Sequence, residues 1–268
     1  MSLLDELIAE ARERAKSLPL GDAPRADGER FRRALRGKER ISVIAEYKQA
    51  SPSAGAIAIG RDVVMQAEAY VDAGAAAISV LTEPARFAGK YSDLERVSAR
   101  VAAPTLMKDF IVEPAQVVHA ARLGASAVLL IARCLPGDSL SALARIADAC
   151  GLACLIECHT ASEIDRALAI DDAVIGVNNR DLDTLTIDRA LCERLLPIIP
   201  NGRIVVAESG YDDASQLESL VGAVDAVLIG SALMRCENPR GLVQSIAQLT
   251  DLQTRPMSID RATERQTP

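Results

Sequence analysis

Apolar residues in this chain fall into eight short runs, each ending at a polar or glycine-containing junction. The runs are ISVIAEY from Ile41, AAAISVLT from Ala75, PTLMKD from Pro104, SAVLLIA from Ser126, LACLIE from Leu152, AVIGVNNR from Ala173, RIVVAESG from Arg203 and DAVLIGS from Asp225. Their apolar parts are near-continuous, as strands buried on both faces of a parallel sheet require. Helical spacing marks the stretches between them, among them RDVVMQAEAYVDAG, EPAQVVHAARLG, DSLSALARIADACG, TASEIDRALAI and DDASQLESLVGA. Several close on Gly after the last apolar position, and Pro84 and Pro114 open helices, where a missing N–H costs nothing. Eight strand-then-helix units predict an α/β fold, a (β/α)8 TIM barrel.

Ahead of the first run, Leu3, Leu4, Leu7, Ile8, Ala11, Ala15 and Leu18 follow amphipathic helical spacing, with Glu10 and Arg14 expected to pair on the polar side. PLGDAPRADG then reads as a loop, and FRRALRG as a second helix stopping at Gly37. The pattern does not decide whether this extension plugs the barrel's bottom, packs on its side or covers its mouth. The expected division is 1–40 helical extension, 41–249 barrel and 250–268 polar tail.

The length of 268 residues suits one barrel of about 250 residues. A net charge of −7 and the absence of Trp argue against nucleic-acid binding, which wants a basic face and stacking platforms. No apolar stretch is long enough to span a membrane. The N-terminus is charged throughout, without a signal core, so a cytoplasmic protein is expected. Cys150, Cys154 and Cys158 recur at four-residue spacing, but Cys154 falls in a strand run and Cys150 in the preceding helix. Reduced, buried cysteines and no metal site are expected.

Barrels of this kind keep their active sites at the strand C-termini. That rule gathers Glu46, Lys48, Lys108, Glu157, Asn178, Arg180, Glu208 and Ser231 around one mouth. Side chains two apart in a strand share a face, so Glu46 and Lys48, Lys108 and Phe110, and Asn178 and Arg180 can all point inward. Lys48–Glu46 and Lys108–Glu157 are expected ion pairs that keep the lysines protonated and favour acid chemistry. Ser209-Gly210 after the seventh run and Gly230-Ser231 after the eighth form a candidate phosphate site, with Lys48 adding charge from the opposite wall. His119 lies mid-helix and is expected at the surface; His159 follows Glu157 by two and can lean toward the mouth.

The motifs IAEYKQASPSAG, SVLTEPARFAG, LMKDFIVEPAQ, LLIARCL, GVNNRDLDTL, VAESG and LIGSALMR, taken together from about Leu3 to Leu249, resemble those of indole-3-glycerol phosphate synthases. The resemblance implies conversion of 1-(2-carboxyphenylamino)-1-deoxyribulose 5-phosphate to indole-3-glycerol phosphate, CO2 and water, without metal or organic cofactor, by a monomer. It implies Lys108 as general acid in ring closure and Glu157 as acid or base in dehydration. Lys48 would engage the substrate carboxylate or phosphate, and Glu46 and Asn178 would orient substrate and lysines, supported by Arg180 and Glu208. Ser209, Gly210, Gly230 and Ser231 would hold phosphate. Ser51 and Pro52 lie in the loop after the first strand; Phe87, Phe110, Leu129, Leu182 and Ile229 would form an apolar slot for the ring. This chain departs from the family in having no aromatic residue in the N-terminal helix, where Leu3, Leu4, Leu7 and Ile8 must serve. Cys158 and Thr160 also depart from the commoner wording. A sugar-phosphate isomerase on the same scaffold, or a non-catalytic binding protein, are the competing readings.

Overall fold

The computed structural model describes residues 2–250 apart from Leu20, Lys38, Ser53, Ala54, Ala58 and Ile59. All eight runs form strands: β1 (Ser42–Tyr47), β2 (Ala77–Leu81), β3 (Thr105–Lys108), β4 (Ala127–Ile131), β5 (Ala153–Cys158), β6 (Val174–Asn178), β7 (Val205–Glu208) and β8 (Ala226–Ile229). They close into a parallel barrel in which β8 returns to pair with β1. In-register partners carry the strand ends round the mouth together: Leu81 with Lys108, Ile131 with Glu157, and Asn178 with Glu208. Val, Ile, Leu and Ala fill the core on both faces of the sheet, which explains the unbroken apolar runs.

The N-terminal extension occupies both ends of the barrel. Helix α1 (Leu3–Ala15) is opened by a capping box between Ser2 and Asp5. It stops short of the expected Leu18, since Ser17 Oγ bonds back to Arg14 O and Pro19 disfavours a helical residue before it. Leu3 and Leu7 face the mouth. The expected Glu10–Arg14 pair is absent. Arg14 instead reaches Asp109 with both terminal nitrogens, at 3.2 and 2.8 Å, and Asp109 also accepts from Thr82 Oγ1 at 2.7 Å. A buried carboxylate beside β3 outcompetes an exposed helical neighbour, because a two-pronged, desolvated pair is the stronger one.

Helix α2 (Gly28–Leu35) seals the other end. Asp27 caps it, and Phe31 and Leu35 are fully buried. Ala26 N and Gly28 N donate to Cys150 O and Gly151 O, both at 2.8 Å, at the entrance to β5. Between the two helices the chain runs alongside Arg122, whose guanidinium donates to the Asp22 carbonyl.

Two other expectations change. DDASQLESLVGA forms a 3-10 helix, Ala214–Leu220, capped by Asp213. Its serines and glycine are weak α-helix formers. Thr250, assigned to the tail, bridges Arg40, whereas 251–268 lie outside the described residues.

Gly28 has no room for a side chain: a Cβ would stand 2.3 Å from the Ala153 backbone nitrogen. Gly28→Val should therefore cost at least about 1–3 kcal/mol, the usual range for overpacking. A thermal midpoint equal to that of the parent would contradict this seating of α2.

Candidate active site

Every site residue expected from the sequence lines one cavity of about 370 Å3 at the strand C-termini. Its floor is a layer of charge. Glu46, Lys108, Glu157 and Glu208 come from β1, β3, β5 and β7, the alternate strands that share a layer in this fold. Lys108 Nζ stands 3.2 Å from Glu157 Oε2 and 3.6 Å from Glu208 Oε2. Lys48 Nζ lies 2.7 Å from Glu46 Oε1. Both expected ion pairs thus exist, and Glu208 joins the second. Because the barrel closes, Lys48 approaches the β8 end from the adjoining strand rather than from the opposite wall.

Room for these carboxylates comes from two glycines. A Cβ on Gly176 would lie 2.3 Å from Glu208 Oε1, and one on Gly230 would lie 2.2 Å from Glu46 Oε1. Any larger residue at either position would displace a carboxylate from the floor.

One ammonium cannot neutralise every carboxylate around it. Burial opposes the Lys108 charge, but Glu157, Glu208 and Glu46 outweigh it and hold its pKa above the ordinary lysine value. Burial likewise opposes the Glu157 charge, yet Lys108 and His159 keep its pKa low. Glu208 takes the remainder: burial first, eased by Lys108 but reinforced by Glu157 and Glu46, pushes its carboxyl up to about 8. The floor therefore presents a protonated lysine, an ionised Glu157 and a protonated Glu208.

Above the floor the walls differ in character. Phe87 and Phe110 meet at 6.5 Å between centroids, and Leu129, Leu182, Ile229, Leu3 and Leu7 add apolar surface to the same cavity. Phe87 is placed by the short helix α3 (Pro84–Phe87), whose N–H groups at Ala85, Arg86 and Phe87 all donate to the Glu83 carboxylate. Ser51 and Pro52 line the rim. Arg180, which lines the cavity too, is oriented by its Nη1 bond to Leu185 O at 3.0 Å, while its backbone N donates to Asn178 Oδ1. Burial lowers the Arg180 pKa, Glu46 opposes that, and Arg235 adds to the lowering.

The phosphate candidates sit together at the ends of β7 and β8. Ser209 (φ 65°) and Gly210 (φ 90°) turn the chain through the left-handed region, and Gly230 precedes the short helix Ser231–Arg235. The strained Ser209 is held by Asn179, whose Nδ2 donates to Ser209 O at 3.1 Å and to Tyr211 Oη at 2.9 Å, while its Oδ1 accepts from Cys192 N.

Sequence reasoning missed Asp109, Asn179, Tyr211, Asp212 and Arg235. Arg235 alone had a usable signal, lying one helical turn beyond Ser231. His119 is half-buried, with its ring edge-on to Tyr91 at 4.8 Å, and not a surface residue. His159 is buried behind Glu157 rather than in the mouth. Among the described residues no group of three or more His, Cys, Asp or Glu side chains is arranged to hold a metal, Cys150, Cys154 and Cys158 included.

A family model described as indole-3-glycerol phosphate synthase matches residues 6–246. A relative carrying that name from Campylobacter curvus is 43% identical over 213 residues, covering 79% of this chain and 81% of its own. Another, from Mycobacteroides abscessus, is 46% identical over 207 residues, covering 77% and 76%. Among solved structures, a 3-hexulose-6-phosphate synthase from Salmonella typhimurium aligns with a TM-score of 0.60 at 13% identity, over 80% of this chain and all of that one, and so shares the fold.

The Glu208 shift makes a linkage prediction. Its folded pKa lies above the unfolded glutamate value, so its stabilising contribution is complete below the unfolded value and is lost as pH rises through about 8. Glu208→Gln should raise the thermal midpoint more, relative to the parent, in alkaline than in mildly acidic buffer. A shift independent of pH would contradict the assignment.

Proposed function

The chain belongs to the indole-3-glycerol phosphate synthase family, carbon–carbon lyases of tryptophan biosynthesis, and on that footing we propose how its mouth divides the work of ring closure, decarboxylation and dehydration. Carrying the proposal is a single observation: Lys108, 3.2 and 3.6 Å from two buried carboxylates, opens into a cavity that is also lined by Phe87, Phe110, Lys48 and Arg180.

The substrate, 1-(2-carboxyphenylamino)-1-deoxyribulose 5-phosphate, has a flat apolar ring, a carboxylate and a phosphate. Its ring fits the Phe87, Phe110, Leu129, Leu182 and Ile229 side. The phosphate goes to Ser209, Gly210, Gly230 and Ser231, where glycine permits close approach to backbone N–H groups and Arg235 adds charge from one turn on. Lys48 and Arg180 receive the carboxylate, with Ser51 and Pro52 at the rim. This fixes the ring carbon against the carbonyl above Lys108.

Lys108 then protonates the carbonyl oxygen as the carbon–carbon bond forms. Its charge, preorganised in a dry floor, stabilises the oxygen as negative charge develops. The carboxylate leaves as CO2 and restores the aromatic ring. Glu157, ionised in the resting site, takes the ring-system proton while Lys108, recharged by the one proton that the reaction takes up, gives a proton to the hydroxyl, which departs as water. Glu157 then returns its proton to Lys108. Glu46 keeps Lys48 in place, Asn178 orients the substrate, and Glu208 fixes Lys108 from its far side.

We also propose a monomer in a reducing, cytoplasmic setting. Among the described residues the exposed large apolar side chains, Met65, Ile187 and Ile198, come from three separate segments, and the cysteines are free thiols.

Lys108→Ala should lower turnover by at least about 10²–10⁴-fold, as expected for loss of a general acid, while the variant still folds. Product fluorescence and circular dichroism measure the two quantities. A folded variant that turns over like the parent would remove Lys108 from the acid role.

A further inference from the structure

Behind Glu157 lies a buried histidine with carboxylates on both sides. His159 Nε2 is 3.7 Å from Glu157 Oε1, and His159 Nδ1 is 3.6 Å from Glu163 Oε2. Nε2 also lies 3.0 Å from Arg180 O, and the His159 backbone N donates to Glu163. Glu157 Oε1 and His159 Nδ1 are both buried without a hydrogen-bond partner. Hydrogen bonds of catalytic groups are commonly long in the empty site and tighten when substrate binds.

The reaction itself supplies the reason for such an arrangement. The substrate carboxylate leaves as neutral CO2, so each turnover consumes one proton. Substrate fills the mouth during the chemistry and covers the floor, whose glutamates are already buried.

We propose that His159, held by Glu163, stores that proton and passes it by way of Glu157 to the spent Lys108 while the mouth is occupied. The inference rests on the role given to Glu157 above. In the transfer the Nε2–H bond breaks and an O–H bond forms on Glu157; that O–H then breaks as an N–H bond forms on Lys108, the amine left neutral when the carbonyl oxygen took its proton. Glu157 is thereby ionised again for the dehydration, and the imidazole is neutral with its Nδ1–H toward Glu163. Once product leaves, solvent in the mouth reprotonates Nε2 by way of Glu157. His159 acts through Glu157 and does not touch substrate.

The groups facing the imidazole fit this storage role. Glu157 lies on its own strand, Glu163 on the helix Ala161–Leu168, and Arg133 on the 3-10 turn after β4. Arg133 is drawn off by Glu163 at 3.5 Å and Asp181 at 3.2 Å. Burial disfavours the imidazolium, but Glu163 and Glu157 outweigh burial and Arg133, and the His159 pKa rises. The nearby thiols of Cys134 and Cys158 stay protonated through burial.

The test compares His159→Gln, His159→Ala, Glu163→Gln and Glu157→Gln in steady-state assays across pH. Gln keeps an N–H for the Arg180 carbonyl but cannot relay a proton. Both His159 variants should lose about tenfold in kcat, less than a directly acting group would, with KM nearly unchanged. The parent kcat should fall as pH rises through the His159 pKa. That limb should vanish in His159→Gln and move to lower pH in Glu163→Gln. Parental kcat and pH profile in His159→Gln, with Glu157→Gln inactive, would overturn this inference alone and leave His159 a structural donor. Parental turnover in Glu157→Gln would instead overturn the role of Glu157, and this inference with it.

Discussion

The rest of the mouth is organised by one lysine set among buried carboxylates. Three glutamates and a single ammonium occupy a barrel layer that branched apolar side chains ordinarily fill. Burying such charge is costly unless it is paired, and a buried pair stabilises little in net terms. The arrangement is therefore better understood as serving chemistry than as stabilising the fold. It keeps Lys108 charged and Glu157 ionised, and places the surplus proton on Glu208. Gly176 and Gly230 are consequences of the same constraint, since a side chain at either position would collide with a carboxylate oxygen.

The extension completes what the barrel alone leaves open. α2 closes the barrel's lower end with Phe31 and Leu35, while α1 places Leu3 and Leu7 at the mouth. The fork between Arg14 and Asp109 joins α1 to the residue next to Lys108, and Glu6 with Arg86 joins it to the helix that carries Phe87. The segments that carry Phe87 and Lys108 are thus braced by one helix from outside the barrel. Arg180 and Asn179 do the same from the β6 end, each through bonds to backbone carbonyls.

Much of this was legible in the residues alone. Buried parallel strands leave unbroken apolar runs, so all eight were found within two residues or so of their ends, and the rule of strand C-termini collected Glu46, Lys108, Glu157 and Glu208 correctly around one mouth. What stayed hidden depends on tertiary competition. Local spacing offered Glu10 as the partner of Arg14, but a buried Asp109 ninety-five positions away is stronger. Asn179 was passed over beside Asn178, yet alternation turns it away from the mouth to hold Ser209 and Cys192. The place of the extension also escaped the pattern, because amphipathic spacing shows that a face is buried and not what buries it.

The central claim is the unequal protonation of the floor. Infrared difference spectroscopy at neutral pH, with carboxyl-labelled glutamate, reads it directly. The account predicts one buried protonated carboxyl in the empty enzyme, lost in Glu208→Gln and retained in Glu157→Gln. A floor with all its carboxylates ionised, or a protonated band that disappears with Glu157 instead, would contradict it.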